Sequence, residues 1–361
     1  MQFLSIISEM VRRYIALTDA EADVIALWIV HTHAFGAAQT TPYLAITSAE
    51  KRCGKSRLLE LLEMLVAGPW LTSSVSSAVL YRTIHETHPT LLLDESDATF
   101  NGNREFGEAL RGVLNSGHRL GGKASRCEQV GKNFVRRDFD TFCPKAIAGI
   151  GKLPDTVADR SIPIRLRRKP PGTEVARFRR REVQPEAADL RTQVSAWATE
   201  RIDALTEMRP ELPESLSDRQ QDGAEPLLAI ADVAGGEWPT RARAALVELL
   251  TGTVAEDQSV GVRLLADIQA AFISTRRDKL ATSELLGKLT QDETLPWGEF
   301  SNGRPLTPIG LARLLKPFGI CPGTIRLEKE TAKGYLRESF ADAWTRYLPS
   351  LPSAVTPSQP A

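Results

Sequence analysis

Ala49-Glu50-Lys51-Arg52-Cys53-Gly54-Lys55-Ser56 decides the fold, because it follows the apolar run Pro42-Tyr43-Leu44-Ala45-Ile46-Thr47 and opens a helical pattern from Lys55 to about Ala67. A buried strand, a short loop and a helix in that order form the setting of a phosphate-binding loop. The pattern G-x-x-x-x-G-K-[ST] is met at Gly54, Lys55 and Ser56, with Ala49 in place of its first glycine. Successive backbone amides and a helix N-terminus make an anion cradle there. Lys55 is placed to reach the β- and γ-phosphates and Ser56 to offer its hydroxyl to Mg²⁺. All eight residues from Ala49 to Ser56 are therefore candidate nucleotide contacts.

Downstream, Thr90-Leu91-Leu92-Leu93-Asp94-Glu95 is an apolar strand that delivers two acids at its C-terminal end, where open parallel sheets bind ligands. Asp94 is the candidate Mg²⁺ partner, and Glu95 is positioned to orient or deprotonate an attacking water. Lys55 and Asp94 are 39 residues apart. Loop and acids together point to ATP and Mg²⁺.

After Asn101-Gly102-Asn103 and a predicted helix from Arg104 to Asn115, residues 117–138 carry His118, Arg119, Lys123, Arg126, Lys132, Arg136 and Arg137 against Glu128 and Asp138. Two β-like runs around Gly131 predict a basic hairpin with Lys132 near its tip. In a ring such hairpins line a central pore and contact single-stranded DNA; a solvated hairpin without a ligand is the other reading. Lys145–Ile150 is the next buried strand, and Arg160 precedes the alternating run Ser161–Leu166. Its guanidinium suits an arginine finger reaching a neighbour's γ-phosphate. A surface pair with Asp159 or Asp155 is the alternative.

Upstream, Phe3, Leu4, Ile7, Met10, Val11, Tyr14 and Ile15 have helical spacing, and Thr18 with Glu21 forms a capping box before a second helix to about His31. His31 and His33, two residues apart, do not share a helix face and do not suggest a metal site. After Pro170-Pro171 come arginines 177 and 179–181, then amphipathic helices around 186–208 and 223–251, expected as a helical lid. Arg219 is the candidate lid arginine sensing the γ-phosphate, with Arg241 and Arg243 not separable from it by sequence; a surface arginine near Asp218 and Asp222 is the other reading.

Three short helices at 262–273, 282–290 and 308–318 precede β-like runs at 324–328 and 333–338, the order of a winged-helix domain. Arg313 and Lys316 lie on the third helix and Arg326, Lys329, Lys333 and Arg337 on the wing, as a duplex-gripping module requires. Protein docking is the other use of such a module. A helix at 339–347 closes it, and the Pro/Ser-rich tail is expected to be disordered.

With 361 residues, 42% apolar and 25% charged, the chain reads as a globular protein of two or three domains. Its 45 basic and 45 acidic residues cancel, so nucleic-acid contacts must be local. Four cysteines without C-x-x-C spacing argue against zinc and against a disulfide framework. No apolar run is long enough to span a bilayer, and a cytoplasmic location is expected.

Taken together, the motifs over 42–168 resemble the P-loop ATPases of the AAA+ and superfamily 3 helicase type. Ala148-Gly149-Ile150-Gly151-Lys152-Leu153-Pro154-Asp155-Thr156, Pro226–Asp232 and Ala332-Lys333-Gly334-Tyr335 are similar to a family catalogued as a domain of unknown function, found in phages and mobile elements and often attached to primase-polymerase modules. The resemblance to the AAA+ and superfamily 3 type makes the hairpin a pre-sensor element and 145–150 the sensor strand, although Ala148, Gly149 and Ile150 offer no polar sensor. It implies an α/β fold with a P-loop, AAA+-like parallel-sheet ATPase core, a helical lid and a C-terminal winged-helix-like domain. The expected segments are N-terminal helices 1–38, core 39–170, lid 171–253, winged-helix-like domain 254–348 and tail 349–361. The expected function is an ATP-dependent DNA helicase or translocase, a hexameric ring hydrolysing ATP at its subunit interfaces, acting in phage or mobile-element replication with a separate primase or replicase. The alternative is a nucleotide-switched DNA-binding scaffold or loader with slow turnover, in replication or phage defence.

Overall fold

A computed structural model describes residues 2–48, 50, 52–73, 75–94, 104–130, 133–150, 153–169, 175–256, 260–292, 294–300, 304–326 and 331–348. The chain divides into two compact units, 1–254 and 255–361.

The first unit begins with helices α1 (Gln2–Tyr14) and α2 (Asp19–Ala34), then strand β1 (Tyr43–Ser48), helix α3 (Lys55–Leu65) and strand β2 (Pro69–Thr72). Helix α4 (Ser77–Thr87), strand β3 (Thr90–Leu93) and helix α5 (Arg104–Ser116) lead to the hairpin β4 (Lys123–Val130) and β5 (Asn133–Asp140). Strand β6 (Lys145–Ile150), the short helix α6 (Asp155–Ala158) and strand β7 (Ser161–Arg165) complete the sheet. Helices α7 (Arg180–Glu207), α8 (Asp218–Ala234) and α9 (Trp238–Glu256) follow.

Five parallel strands are ordered β2-β3-β6-β1-β7, with Leu44 opposite Ala146 on one side of β1 and Ile162 on the other. A parallel sheet must be covered on both faces. The two-residue period sorts the strand residues accordingly: Leu44, Ile46, Leu92, Ala146, Ala148, Ile162 and Ile164 face a core with α1, α2, α3 and α7–α9. Tyr43, Ala45, Leu91, Leu93 and Ile147 face a second core with α4, α5, α6 and Phe139 of β5. Helix α2 is buried nearly all round, as a helix enclosed by others must be. Its start carries the expected Thr18–Glu21 capping box, and Glu21 Oε1 also accepts from the Arg165 amide at 3.0 Å, tying α2 to the end of β7.

Several elements differ from the sequence expectation. Strand β2 was not anticipated; it is a half-buried four-residue edge strand that opens on Pro69, a position where proline costs no ladder bond. The helix expected over 223–251 is two, broken at Gly235-Gly236, and the first starts earlier behind a Ser217–Gln220 capping box. The helices expected as a lid extend the core of the N-terminal pair: Val183, Ala187, Leu190 and Val194 of α7 are buried with α1–α3, and Trp197 meets Phe3 at 5.4 Å.

In the second unit, helix α10 (Val260–Thr275), strand β8 (Lys279–Ala281), helices α11 (Thr282–Gln291) and α12 (Pro308–Leu315), strands β9 (Gly323–Arg326) and β10 (Thr331–Leu336) and helix α13 (Ala341–Tyr347) enclose a core around Phe272, Trp297, Leu311, Tyr335 and Phe340. The three strands form an antiparallel sheet β8-β10-β9, whose short member β8 carried no sequence signal. The tail from 349 lies outside the described residues.

At the mouth of β6, Lys145 is fully buried, donating to the carbonyls of Gly117, Thr141 and Cys143 at 3.2, 2.9 and 2.8 Å, with its ammonium 5.0 Å from the Tyr43 ring centroid. Burial pushes its pKa down. Any Cβ on Gly117 would stand 2.2 Å from the Thr141 carbonyl oxygen and 2.6 Å from Lys145 Nζ. Gly117→Ala is therefore expected to destabilise the first unit by about 3 kcal/mol in urea unfolding; an unchanged midpoint would contradict this packing.

His31 is fully buried, its Nε2 2.8 Å from Thr41 Oγ1, and burial lowers its pKa from 6.5 to about 3. It is neutral in the fold, whereas the unfolded chain takes up a proton near its ordinary pKa. This contribution to stability is complete above pH 6.5 and declines as the pH falls from there toward 3. His31→Gln should flatten the acid limb of unfolding free energy by up to one proton, roughly 1.4 kcal/mol per pH unit. Equal slopes for the two proteins would show that His31 is not the titrating group.

Candidate functional site

The loop between β1 and α3 starts at the C-terminal edge of the sheet, where β1 and β6 send their connections to opposite faces. That divergence opens a crevice in parallel α/β sheets. Arg52 and Gly54 adopt left-handed backbone angles, φ 66° and 98°, separated by Cys53, a curl of the kind that turns successive amides toward one concavity. The first helical bond of α3 runs from the Leu58 amide to the Gly54 carbonyl, leaving the preceding amides directed out of the helix end. Lys55 folds its ammonium back onto Ser48 Oγ, and that hydroxyl in turn donates to the Glu50 carbonyl at 2.6 Å.

Ser56 Oγ donates to Asp94 Oδ2 at 3.0 Å. The two residues come from different strand–helix units, and Asp94 is held in place by its amide, which donates to the Thr72 carbonyl of β2 at 3.0 Å. Around this centre, Glu50 pairs with Arg168 at 2.6 Å, Arg57 lies 4.9 Å over the Phe178 ring, and Ile15 at the end of α1 approaches Gly54. Lys55, Ser56, Asp94, Glu50, Arg52, Cys53 and Gly54 are thus brought together. Ala49, Lys51 and Glu95 lie outside the described residues. Arg57, Arg168 and Phe178 were missed in the sequence, where nothing distinguishes them from other surface residues.

Arg160 and Arg219 are not brought to the loop. The Arg160 carbonyl accepts from the Tyr43 amide at the N-terminal edge of the sheet, the edge opposite Ser48, and its guanidinium donates to the Thr156 carbonyl. Arg219, in the first turn of α8, pairs with Asp159 at 2.9 Å, so it stands with Arg160 and away from the loop between β1 and α3. Arg119 pairs with Asp222 at 3.3 Å and lines the same cleft, of about 160 Å³, with Arg160, Arg219, His118 and Thr41. Burial, followed by the charges of Arg160 and Arg119, lowers the His118 pKa to about 4. Arg241 and Arg243, the alternatives for a lid arginine, are held by Asp23 and Glu237 and by Asp232 respectively.

The 123–140 hairpin forms with Arg126 opposite Arg137 and Cys127 opposite Arg136. Lys123, Arg126, Arg136 and Arg137 are exposed. Their guanidiniums are nonetheless engaged: Arg126 lies 4.6 Å over the Tyr81 ring, Arg137 5.6 Å over Phe139, and Arg136 pairs with Asp138 at 2.9 Å. Lys132 lies outside the described residues. Phe134, 75% exposed beside the tip, was missed, although aromatic residues interleaved with basic ones are the sequence signal for base stacking. In the second unit, Arg313 and Lys316 are exposed at the end of α12, whose start presents Ile309 at 83% exposure.

Among the described residues, no group of three His, Cys, Asp or Glu side chains could hold a metal ion, and no helix is long and apolar enough to cross a membrane. The family described as "Protein of unknown function (DUF3631)" matches residues 165–347, from the last residue of β7 to the last of α13. A protein of Saccharopolyspora erythraea, "Uncharacterized 28.9 kDa protein in xis 5'region", is 40% identical over 200 residues, covering 54% of this chain and 74% of the relative. Among solved structures, the A-form apo structure of the NrS-1 C-terminal region is similar at a TM-score of 0.44 and 10% identity, covering 93% of this chain and 76% of that one. A second structure of that region, 305–718, gives a TM-score of 0.43 at 12% identity, covering 93% and 75%. By the family match and the identity to its relative, the chain belongs to the DUF3631 family.

Proposed function

We propose that the protein is a Mg²⁺-dependent ATPase with a P-loop core, working as a ring-shaped motor on DNA. The observation that carries the reading is the 3.0 Å contact between Ser56 Oγ and Asp94 Oδ2 at the N-terminus of α3, beside Lys55. A hydroxyl from the loop helix and a carboxylate from another strand's end are the hard oxygen donors that suit Mg²⁺. The residues therefore fit the cofactor: Ser56 and Asp94 would hold the metal, and the amides of 54–56 with Lys55 would hold the phosphates.

Bound ATP·Mg²⁺ would supply the scissile phosphoanhydride and neutralise charge developing on it. The chain's own contributions are positional. Lys55 would turn from Ser48 toward the phosphates, a triphosphate oxygen taking the place of Ser48 Oγ as its acceptor. Glu95, the residue after Asp94, is assigned the proton of the attacking water. Arg160, at the far edge of the sheet, acts on the nucleotide of a second copy, which makes assembly part of the chemistry. The basic hairpin with Phe134 is assigned to single-stranded DNA, and the second unit, read as winged-helix-like, to duplex DNA through Arg313 and Lys316.

Turnover of ATP should depend on Mg²⁺ and rise with single-stranded DNA; a well-folded protein that turns over no ATP in either condition would sink the ATPase reading. Glu95→Gln is expected to keep nucleotide binding and lose about 10²–10⁴-fold in turnover, the usual worth of a general base. Asp94→Asn should weaken the Mg²⁺ dependence itself. Phe134→Ala should reduce single-stranded DNA affinity by about 1–3 kcal/mol, without altering turnover in the absence of DNA.

A further inference from the structure

We propose that the cavity bounded by the last turns of α2 and α7 and by one face of α8 is a binding site for a small organic ammonium compound, an apolar body of about a ring's size with one positive head. The cavity has a volume of about 240 Å³. A wholly apolar cavity of about 150 Å³ accepts benzene, so this one has room for such a ring and a short head group. Its lining segment 37–40 precedes the first residue of β1, at the edge of the sheet opposite Ser48, and the cavity shares no residue with the loop between β1 and α3.

The body of the ligand is set by the apolar lining. Ala34, Ala37, Leu205, Pro226, Ala229 and Ile230 form most of the wall, and the small side chains among them leave the space open where three helices approach one another. His31 adds a fully buried ring whose Nε2 is already engaged by Thr41 Oγ1. Burial keeps that imidazole neutral, so it brings no positive charge to the wall.

The head is set by charge. The charged lining residues are Glu207, Arg209 and Glu225, two carboxylates against one guanidinium. Arg209 is turned back on the end of α7, where it donates to the carbonyls of Thr206 and Met208 at 2.9 and 2.8 Å. Among the described residues, neither Glu207 nor the half-buried Glu225 takes part in an ion pair. The ends of α2 and α7 add to the negative potential, because the last carbonyls of a helix carry its partial negative charge. An ammonium is attracted to this rim, and a carboxylate or phosphate is repelled.

Hydrogen bonds brace the walls. Pro226 has no amide hydrogen, so the Asp222 carbonyl one turn before it lacks a helical donor. Thr40 Oγ1 takes that place, donating to the Asp222 carbonyl at 2.6 Å. On the other side of the same segment, the Leu120 amide donates to the Gln39 carbonyl and the Thr41 amide to the His118 carbonyl, both at 2.9 Å. A lining bonded in this way holds its shape without a ligand, as small-molecule sites usually do.

The experiment titrates the full chain with benzylammonium, benzyl alcohol and benzoate, which share a ring and differ in the charge of the head, and reads dissociation constants by saturation-transfer NMR. Benzylammonium should bind about tenfold or more tightly than benzyl alcohol, the usual gain from a hydrogen bond to a charged group. Benzoate should bind most weakly. The double variant Glu207→Gln, Glu225→Gln should bring benzylammonium to the level of benzyl alcohol and leave benzyl alcohol unchanged. Ala37→Leu, at a half-buried position of the wall, should remove both ligands by filling the space; if it does not fold, the double variant decides. Wild type that binds no benzylammonium, benzoate bound as tightly as benzylammonium, or an unchanged benzylammonium affinity in the double variant would each overturn the inference. So would benzylammonium retained by a folded Ala37→Leu, which would place the ligand elsewhere. No outcome depends on nucleotide binding or turnover.

Discussion

Everything in the first unit hangs on β1, a parallel strand hydrogen-bonded on both sides and buried on both faces. Such a strand is stable only if helices cover each face, and this requirement recruits the N-terminal helices. α1 and α2 precede the sheet in the chain, yet their apolar faces close one side of it with α3 and α7–α9. It also sets the ends. At the C-terminal edge the strands stop with Ser48 and Leu93, and the residues after them meet as the loop, Ser56 and Asp94. At the N-terminal edge the same strand is bonded to Arg160.

Most of the strand and helix order was legible because buried parallel strands are written as unbroken apolar runs, here Tyr43–Ile46, Leu91–Leu93 and Ala146–Ala148. The loop was read from Gly54-Lys55-Ser56 together with the apolar strand before it and the helical pattern after it. Strand β2 was not, since Trp70 and Leu71 are half-buried at the sheet's edge and alternate with nothing. Partners distant in sequence were also hidden. That Arg219 meets Asp159, or Arg126 lies on Tyr81, depends on how separate elements pack, and no local pattern records it. The basic segment 117–138 shows the same limit from the other side: its charges were legible, while the rings that already engage two of them were not.

Burial then decides which cations are structural. Lys145 and Arg219 are both single positive charges near the N-terminal edge, but their environments set opposite costs. The Lys145 ammonium has given up all its water, so its three carbonyls and the bare Cα of Gly117 are obligatory, and removing any of them would leave a buried charge without compensation. Arg219 has kept much of its hydration, and its carboxylate partner is itself more than half exposed. Exchanging that partner for another anion changes little in desolvation.

The same comparison separates the cleft from the hairpin. Arg126 and Arg137 rest on aromatic faces, which hold a guanidinium in place, and Arg126 also donates to the Tyr81 hydroxyl. That arrangement suits a ligand that passes along the surface. In the cleft, Arg119 and Arg219 are instead held by carboxylates, which compete directly for the bonds a phosphate would take. A weakly bound strand of nucleic acid, offering one charge per phosphate, competes poorly there. The assignment of single-stranded DNA to the hairpin rather than to the cleft therefore follows from what already occupies each set of arginines, before any ligand arrives.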